Sequence, residues 1–231
     1  MPAARYEARL ERIQEWNATT RSLFLRLGSA DRMPFSPGQF VSLALPVGES
    51  PPLVRPYSLA SDPDDELLEI AVDLVPGGLG SEYLFTLSRG ATLDLKGPFG
   101  TFTLDEPPAA PLVFVADGTG IAPIRAIVRR VLSRPGQAPL YVLHGARDAG
   151  ALLYRDELAG LAAAHPRLVC EPVIAGDTTS LELRVLARYV DADADRSRHF
   201  WICGVGDVVR RLREALRAAG YERRAVRYEQ W

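Results

Sequence analysis

The sequence predicts a two-domain protein: a small antiparallel β-barrel followed by an α/β domain with a parallel sheet. Three observations carry this. The length of 231 residues exceeds one average domain and falls short of three. The first half is a succession of short β-rich runs punctuated by Pro, Gly and Asp, whereas the second alternates continuous apolar runs with amphipathic helical ones. Between them, residues 105–111 form a polar, proline-heavy stretch that no regular element crosses, so the domains are placed at 1–107 and 108–231.

In the first domain strands are expected at 6–11, 20–27, 39–45, 57–60, 67–74 and 92–96. Arg55-Pro56-Tyr57-Ser58 runs into the fourth of them. Pro56 fixes its own φ and pushes Arg55 into an extended conformation, so Arg55 and Tyr57 point to the same face. A guanidinium that forks onto phosphate oxygens, a phenol ring that stacks and a small hydroxyl suit a planar ligand carrying a phosphate. The same residues also fit an ordinary strand with one exposed arginine. Further on, Gly77-Gly78-Leu79-Gly80-Ser81 is a glycine-rich loop entering a short helix, with free N–H groups for an anion and Ser81 placed as the cap. A plain turn before a capped helix is the alternative. Residues 97–100, Gly-Pro-Phe-Gly, read as a tight turn.

The second domain is expected to run as strand 112–116, helix 121–133, strand 140–144, helix 152–164, strand 167–173, a helix near 180–189, strand 200–203 and helix 208–219. Asp207 is placed to cap the last helix and Gly220 to stop it; its arginines at 210, 211, 213 and 217 read as an outward face, solvated or docking an acidic partner. Open parallel sheets bind ligands at the carboxyl ends of their strands, where Gly118-Thr119-Gly120 joins the first strand to its helix. Its glycines let a pyrophosphate approach the backbone and the helix start, although Asp117 repels an anion unless it points elsewhere. Cys203-Gly204 ends a later strand at the same edge, either as a buried small residue or as a soft group against a bound ring.

Composition excludes several classes. Hydrophobic residues at 47%, charged residues at 24% and a net charge of −2 give no global bias toward nucleic acid or membrane. Neither a membrane-length apolar run nor a signal-peptide core is present, so a cytoplasmic location is expected. Cys170 and Cys203 form no disulfide framework and no metal cluster, so no metal site is expected.

Together these motifs resemble the ferredoxin–NADP+ reductase family of flavoproteins, over nearly the whole chain and in the right order. The likeness is closest to members ending in an aromatic residue. It implies an FAD-binding β-barrel followed by an NAD(P)-binding α/β domain. Arg55, Pro56, Tyr57 and Ser58 are similar to the flavin motif, with arginine on the phosphates, tyrosine on the ring face and serine near N5. Gly77, Gly78, Leu79, Gly80 and Ser81 resemble the second phosphate element. Gly118, Thr119 and Gly120, followed by Ile121-Ala122-Pro123, resemble the coenzyme loop, and Cys203 and Gly204 the pair beside the nicotinamide. Glu229 and Trp231 resemble the C-terminal acid and the terminal aromatic, with Trp231 on the flavin face that Tyr57 leaves open.

The resemblance assigns Ser58, Cys203 and Glu229 to catalysis. It implies FAD with NADP(H), NAD(H) being the alternative coenzyme, and a small iron–sulfur protein or flavodoxin as partner. One departure bears on the coenzyme. Residues 174–177, Ile-Ala-Gly-Asp, stand where NADP-selective members carry Ser-Arg-Glu, which leaves Arg147 and Arg184 as the candidate cations for a 2′-phosphate. The acids at 148 and 177 would instead suit a free ribose hydroxyl. Different readings of the same chain are a reductase of free flavins, quinones or an oxygenase component, and a nucleotide-binding module without turnover.

Overall fold

The computed structural model describes residues 3–28, 32–48, 50–174 and 180–230. Its contacts divide the chain into two units, Met1–Asp105 with Arg125–Arg130, and Glu106–Ile124 with Val131–Trp231.

The first unit contains β1 (Ala4–Asn17), β2 (Thr20–Leu27), β3 (Phe40–Leu45), β4 (Leu53–Ser58), β5 (Leu68–Asp73), the helix α1 (Leu79–Thr86) and β6 (Thr92–Phe99). The strands form one antiparallel sheet in the order β4-β3-β6-β1-β2-β5, and a bridge between Leu59 and Ile70 brings its two edges together. Alternation drives the fold: Val41, Leu43 and Leu45 of β3 and Leu93 and Leu95 of β6 turn inward onto Leu10, Leu23, Leu25, Ile70 and Leu84. Each buried aliphatic side chain contributes about 1.5–3 kcal/mol of hydrophobic stabilisation.

Three expectations change here. Strand β1 runs well past residue 11, because register shifts at Leu10/Arg12 and Glu15/Asn17 bend it while it stays paired with β2. Strand β4 starts at Leu53 rather than at residue 57, and it accepts Pro56 because it is an edge strand. Residues 97–99 are not a turn but the end of β6, where Gly97 pairs with Ala4 and a Cβ on it would stand 2.9 Å from Val41 Cγ1.

The second unit contains β7 (Leu112–Asp117), the two ends of α2 (Ile121–Leu132), whose residues 125–130 group with the first unit, β8 (Leu140–Ala146), α3 (Arg155–Ala164), β9 (Leu168–Ile174), α4 (Leu181–Leu186), β10 (His199–Gly204), α5 (Gly206–Ala218) and β11 (Val226–Gln230). Its five strands form a parallel sheet in the order β11-β10-β7-β8-β9. Residues 112–116 of the central β7 are all buried, which explains why that run carries no polar alternation. The chain moves from β7 outward to β9 and then returns to β10 on the other side of β7. The order therefore reverses between β7 and β10, the place where such sheets open a crevice for ligands.

Helix α3 begins at Arg155 rather than residue 152, since Tyr154 adopts φ 56° and breaks the helical path. Asp207 does not cap α5: the cap position is Val205, and Asp207 sits in the first turn, 3.0 Å from Arg210. The terminal segment 226–230 forms a strand paired in parallel with β10.

Candidate functional site

In the first unit, β4 carries Arg55 and Tyr57 opposite Leu43 and Val41 of β3, so both stand on one face. Tyr57 is half-buried against the barrel core, and burial raises its phenol to about 12 against the opposing pull of Arg55; it is a neutral ring at any physiological pH. Arg55 is exposed, and its guanidinium donates to the carbonyl of its neighbour Val54 at 2.9 Å. Its side chain lies beside the glycine loop: a Cβ on Gly80 would be 3.4 Å from Arg55 Cγ and 3.1 Å from Leu45 Cδ1. Arg55 and the loop thus share one place.

The loop enters α1 without a side-chain cap at Gly78, and the first-turn amides of a helix have no intrahelical acceptor. Ser81 is not the cap expected of it. Its buried hydroxyl turns inward, accepts from Val75 N at 3.0 Å and lies 3.0 Å from the Gly78 carbonyl, which folds the loop back on itself. Two donors are already committed, since Gly77 N–H donates to Glu82 Oε1 at 2.8 Å and Gly78 N–H to the Val75 carbonyl at 2.8 Å. Arg55 together with the open first turn of α1 fits a phosphate, and the adjacent Tyr57 ring fits a stacked plane. Pro56 and Ser58 lie on the same strand, and Leu79 is exposed at the helix start.

In the second unit, Gly118, Thr119 and Gly120 form a short 3-10 turn between β7 and α2. The loop packs backbone to backbone on the end of β10. A Cβ on Gly120 would lie 2.1 Å from the Cys203 carbonyl oxygen, and one on Gly204 2.5 Å from Asp117 Cβ. Asp117 accepts a hydrogen bond from the Val205 amide, and burial, only partly offset by that bond, raises its carboxyl. Its charge is thus directed at the β10–α5 turn.

Cys203 is fully buried and pairs in register with Glu229 of β11, as Gly204 does with Gln230. Burial, reinforced by the Glu229 carboxylate, pushes the Cys203 thiol well above its ordinary value. The same burial lifts Glu229 to about 7, and its Oε2 is buried with no hydrogen-bond partner among the described residues. An orphaned carboxylate next to a neutral thiol at the carboxyl edge of a parallel sheet fits a ligand that supplies a donor.

The candidate 2′-phosphate cations differ in availability. Arg147 is exposed, with Asp148 3.3 Å away, whereas Arg184 is engaged with Glu171, which also binds Arg188 at 2.6 Å. Trp231 and residues 175–179, including Asp177, lie outside the described residues. Sequence reasoning missed His144: buried at the end of β8, it places Nε2 3.0 Å from the Gly118 carbonyl oxygen, and burial lowers it to about 4. A single histidine closing an apolar strand was the available signal. The described residues contain no group of three or more His, Cys, Asp or Glu that would hold a metal ion, and no helix long and apolar enough to cross a membrane.

Residues 7–104 match the family described as the oxidoreductase FAD-binding domain, and residues 114–214 the oxidoreductase NAD-binding domain. The ferredoxin–NADP reductase B of Sorangium cellulosum is 37% identical over 98% of this chain and 97% of its own. The naphthalene 1,2-dioxygenase system reductase component of Pseudomonas putida is 39% identical over 65% of this chain, but the match spans only 45% of that longer protein. Among solved structures, the cytochrome P450 reductase of Amycolatopsis superposes with a TM-score of 0.89 at 28% identity, over 99% of this chain and 70% of its own. With both domain families matched in order and a full-length relative above 30% identity, the chain belongs to the ferredoxin–NADP+ reductase-like family of FAD- and NAD(P)-binding oxidoreductases.

Proposed function

We propose that this chain passes electrons from NADPH through FAD to a separate small iron–sulfur protein or flavodoxin. The observation that carries the reading is Arg55 laid beside Gly80, which gathers a cation, an uncapped helix start and the Tyr57 ring on one face of the barrel. Bound FAD supplies two-electron exchange with a nicotinamide and one-electron exchange with a metal or flavin centre.

The chain's own residues bind and orient. Arg55 and the loop Gly77–Ser81 take the phosphates, Tyr57 covers a ring face, and Ser58 donates to a ring nitrogen. In the second unit Gly118, Thr119 and Gly120 bring backbone amides to the coenzyme pyrophosphate, while Cys203 and Gly204 form a flat, neutral floor for the nicotinamide. Glu229, with its carboxyl near neutrality, holds or gives up a proton at Oε2. The two cysteines within these 231 residues cannot ligate an iron–sulfur cluster, so an iron–sulfur acceptor lies outside them.

A second reading, a reductase serving an oxygenase, draws support from the naphthalene dioxygenase and P450 reductase relatives. The purified protein is expected to be yellow, to release FAD on denaturation and to bleach on anaerobic addition of NADPH. Arg55→Ala is expected to weaken FAD binding at least tenfold, since a charge-assisted hydrogen bond contributes about 1.5–3 kcal/mol. A colourless protein that takes up no flavin would remove the reading. Reduction of a ferredoxin, or of an oxygenase component instead, separates the two acceptors.

A further inference from the structure

Helix α3 is unusually sparse in core residues. Of its ten residues only Leu158 is buried, and its sheet-facing side otherwise offers alanines. Beneath it lie Val142 and His144 of β8 and their register partners Cys170 and Pro172 of β9, four side chains on one face of the sheet. Alanines over a flat floor leave a cavity of about 330 Å³, within the range of small-molecule sites. It is a mainly apolar space. The Cys170 thiol donates to the Leu158 carbonyl, and burial raises it to about 11, so it brings no charge.

Arg155 stands at the mouth, exposed and in no ion pair among the described residues. Glu171 also borders the cavity, but as the next residue on edge strand β9 it turns its carboxylate to the opposite face, where Arg184 and Arg188 hold it. The charge of Arg155 is therefore uncompensated beside an apolar slot. Its complement is an anion attached to a flat apolar body. The planar imidazole of His144 and the apolar, puckered ring of Pro172 line the floor under such a body.

We propose that the cavity between α3 and strands β8 and β9 binds a small aromatic monocarboxylate, with its ring over Pro172 and His144 and its carboxylate on Arg155. His144 also holds the Gly118 carbonyl, so an occupant touching the imidazole is one side chain away from the glycine loop. Occupancy and coenzyme affinity are then linked, and linkage is reciprocal. That consequence rests on the coenzyme role of the loop; the binding itself does not.

The test uses benzoate and the FAD-loaded protein without coenzyme, by calorimetry or ligand-observed NMR. Saturable binding is expected, about tenfold weaker in Arg155→Gln and lost in Ala162→Phe, which fills the slot. Benzyl alcohol, of the same shape without the charge, is expected to bind equally to the Arg155→Gln variant and the parent. No saturable benzoate binding, or unchanged affinity in Arg155→Gln, overturns the proposal. Arg155 lies on the surface, so that variant decides the matter even where Ala162→Phe fails to fold.

Discussion

At the scale of single residues, Glu229 carries the clearest consequence. Its carboxyl rises from 4.5 to about 7 on folding, so the folded protein binds a proton that the unfolded chain has released in that window. Stability attributable to this group is therefore intact below about pH 4.5, falls as pH rises toward 7, and is fully lost above. A shift of that size corresponds to at most about 3 kcal/mol. Glu229→Gln is expected to match the parent in urea unfolding near pH 4 and to exceed it by about 1–3 kcal/mol near pH 8; coincident curves at both pH values would show that the carboxylate finds a partner. Hydride transfer should slow in the same variant while FAD stays bound. At Arg147 the expectation concerns choice between coenzymes: with Arg184 drawn to Glu171, Arg147→Ala should lower kcat/KM for NADPH by roughly tenfold or more and leave NADH nearly unchanged. Equal losses with both would take Arg147 out of that role. The sequence showed these residues by type and spacing, but not that Glu171 occupies Arg184, because that partner is thirteen positions away on another element.

At the scale of elements, the glycine loop after β7 and the turn after β10 form a single packed unit. Gly120 has no room for a side chain, its would-be Cβ lying 2.1 Å from a backbone oxygen that cannot rotate away. Gly120→Ala must therefore push β10 and β7 apart at their carboxyl ends, and a loss of about 3 kcal/mol or more is expected. Gly118 differs, with φ +55° and open space around its Cβ position, so Gly118→Ala strains only the backbone, at about 1–2 kcal/mol. Thermal unfolding of the two variants tests the ranking; a Gly120→Ala protein as stable as Gly118→Ala would contradict the close approach. Strand and helix identities were legible here because apolar runs and helical periodicity are local. Caps were less so. Asp207 and Ser81 have the right side chains for capping, yet Asp207 lies two residues past the cap at Val205 and Ser81 is used to fasten its own loop.

At the scale of the whole molecule, both domain types and their order were readable, since the change from alternating to continuous apolar runs is a property of sequence alone. The grouping of Arg125–Arg130 with the first unit was not readable. It arises from contacts, within that unit, between residues 125–130 and a segment some sixty residues earlier: Arg129 forks onto Asp65 at 2.6 and 2.9 Å, Arg130 meets Asp62 at 2.7 Å, and Arg125 donates to Glu69 at 2.7 Å and to the Ala60 carbonyl at 2.8 Å. In sequence the three arginines look like an ordinary solvated helix face. The Arg125–Glu69 pair is the most consequential of the three, because both side chains are largely buried, with 12% and 4% exposure. Arg125→Gln removes the guanidinium and leaves the Glu69 carboxylate where water does not reach it, at an expected cost of about 3–5 kcal/mol. Replacing both partners, Glu69→Leu with Arg125→Met, removes the buried charge altogether and should recover most of that loss, since an ion pair taken from water gives back in attraction little more than its desolvation costs. Urea unfolding of the single and double variants distinguishes this from simple loss of packing: a double variant no more stable than Arg125→Gln would mean that the side-chain volume, and not the buried carboxylate deprived of Arg125, is what the segment depends on.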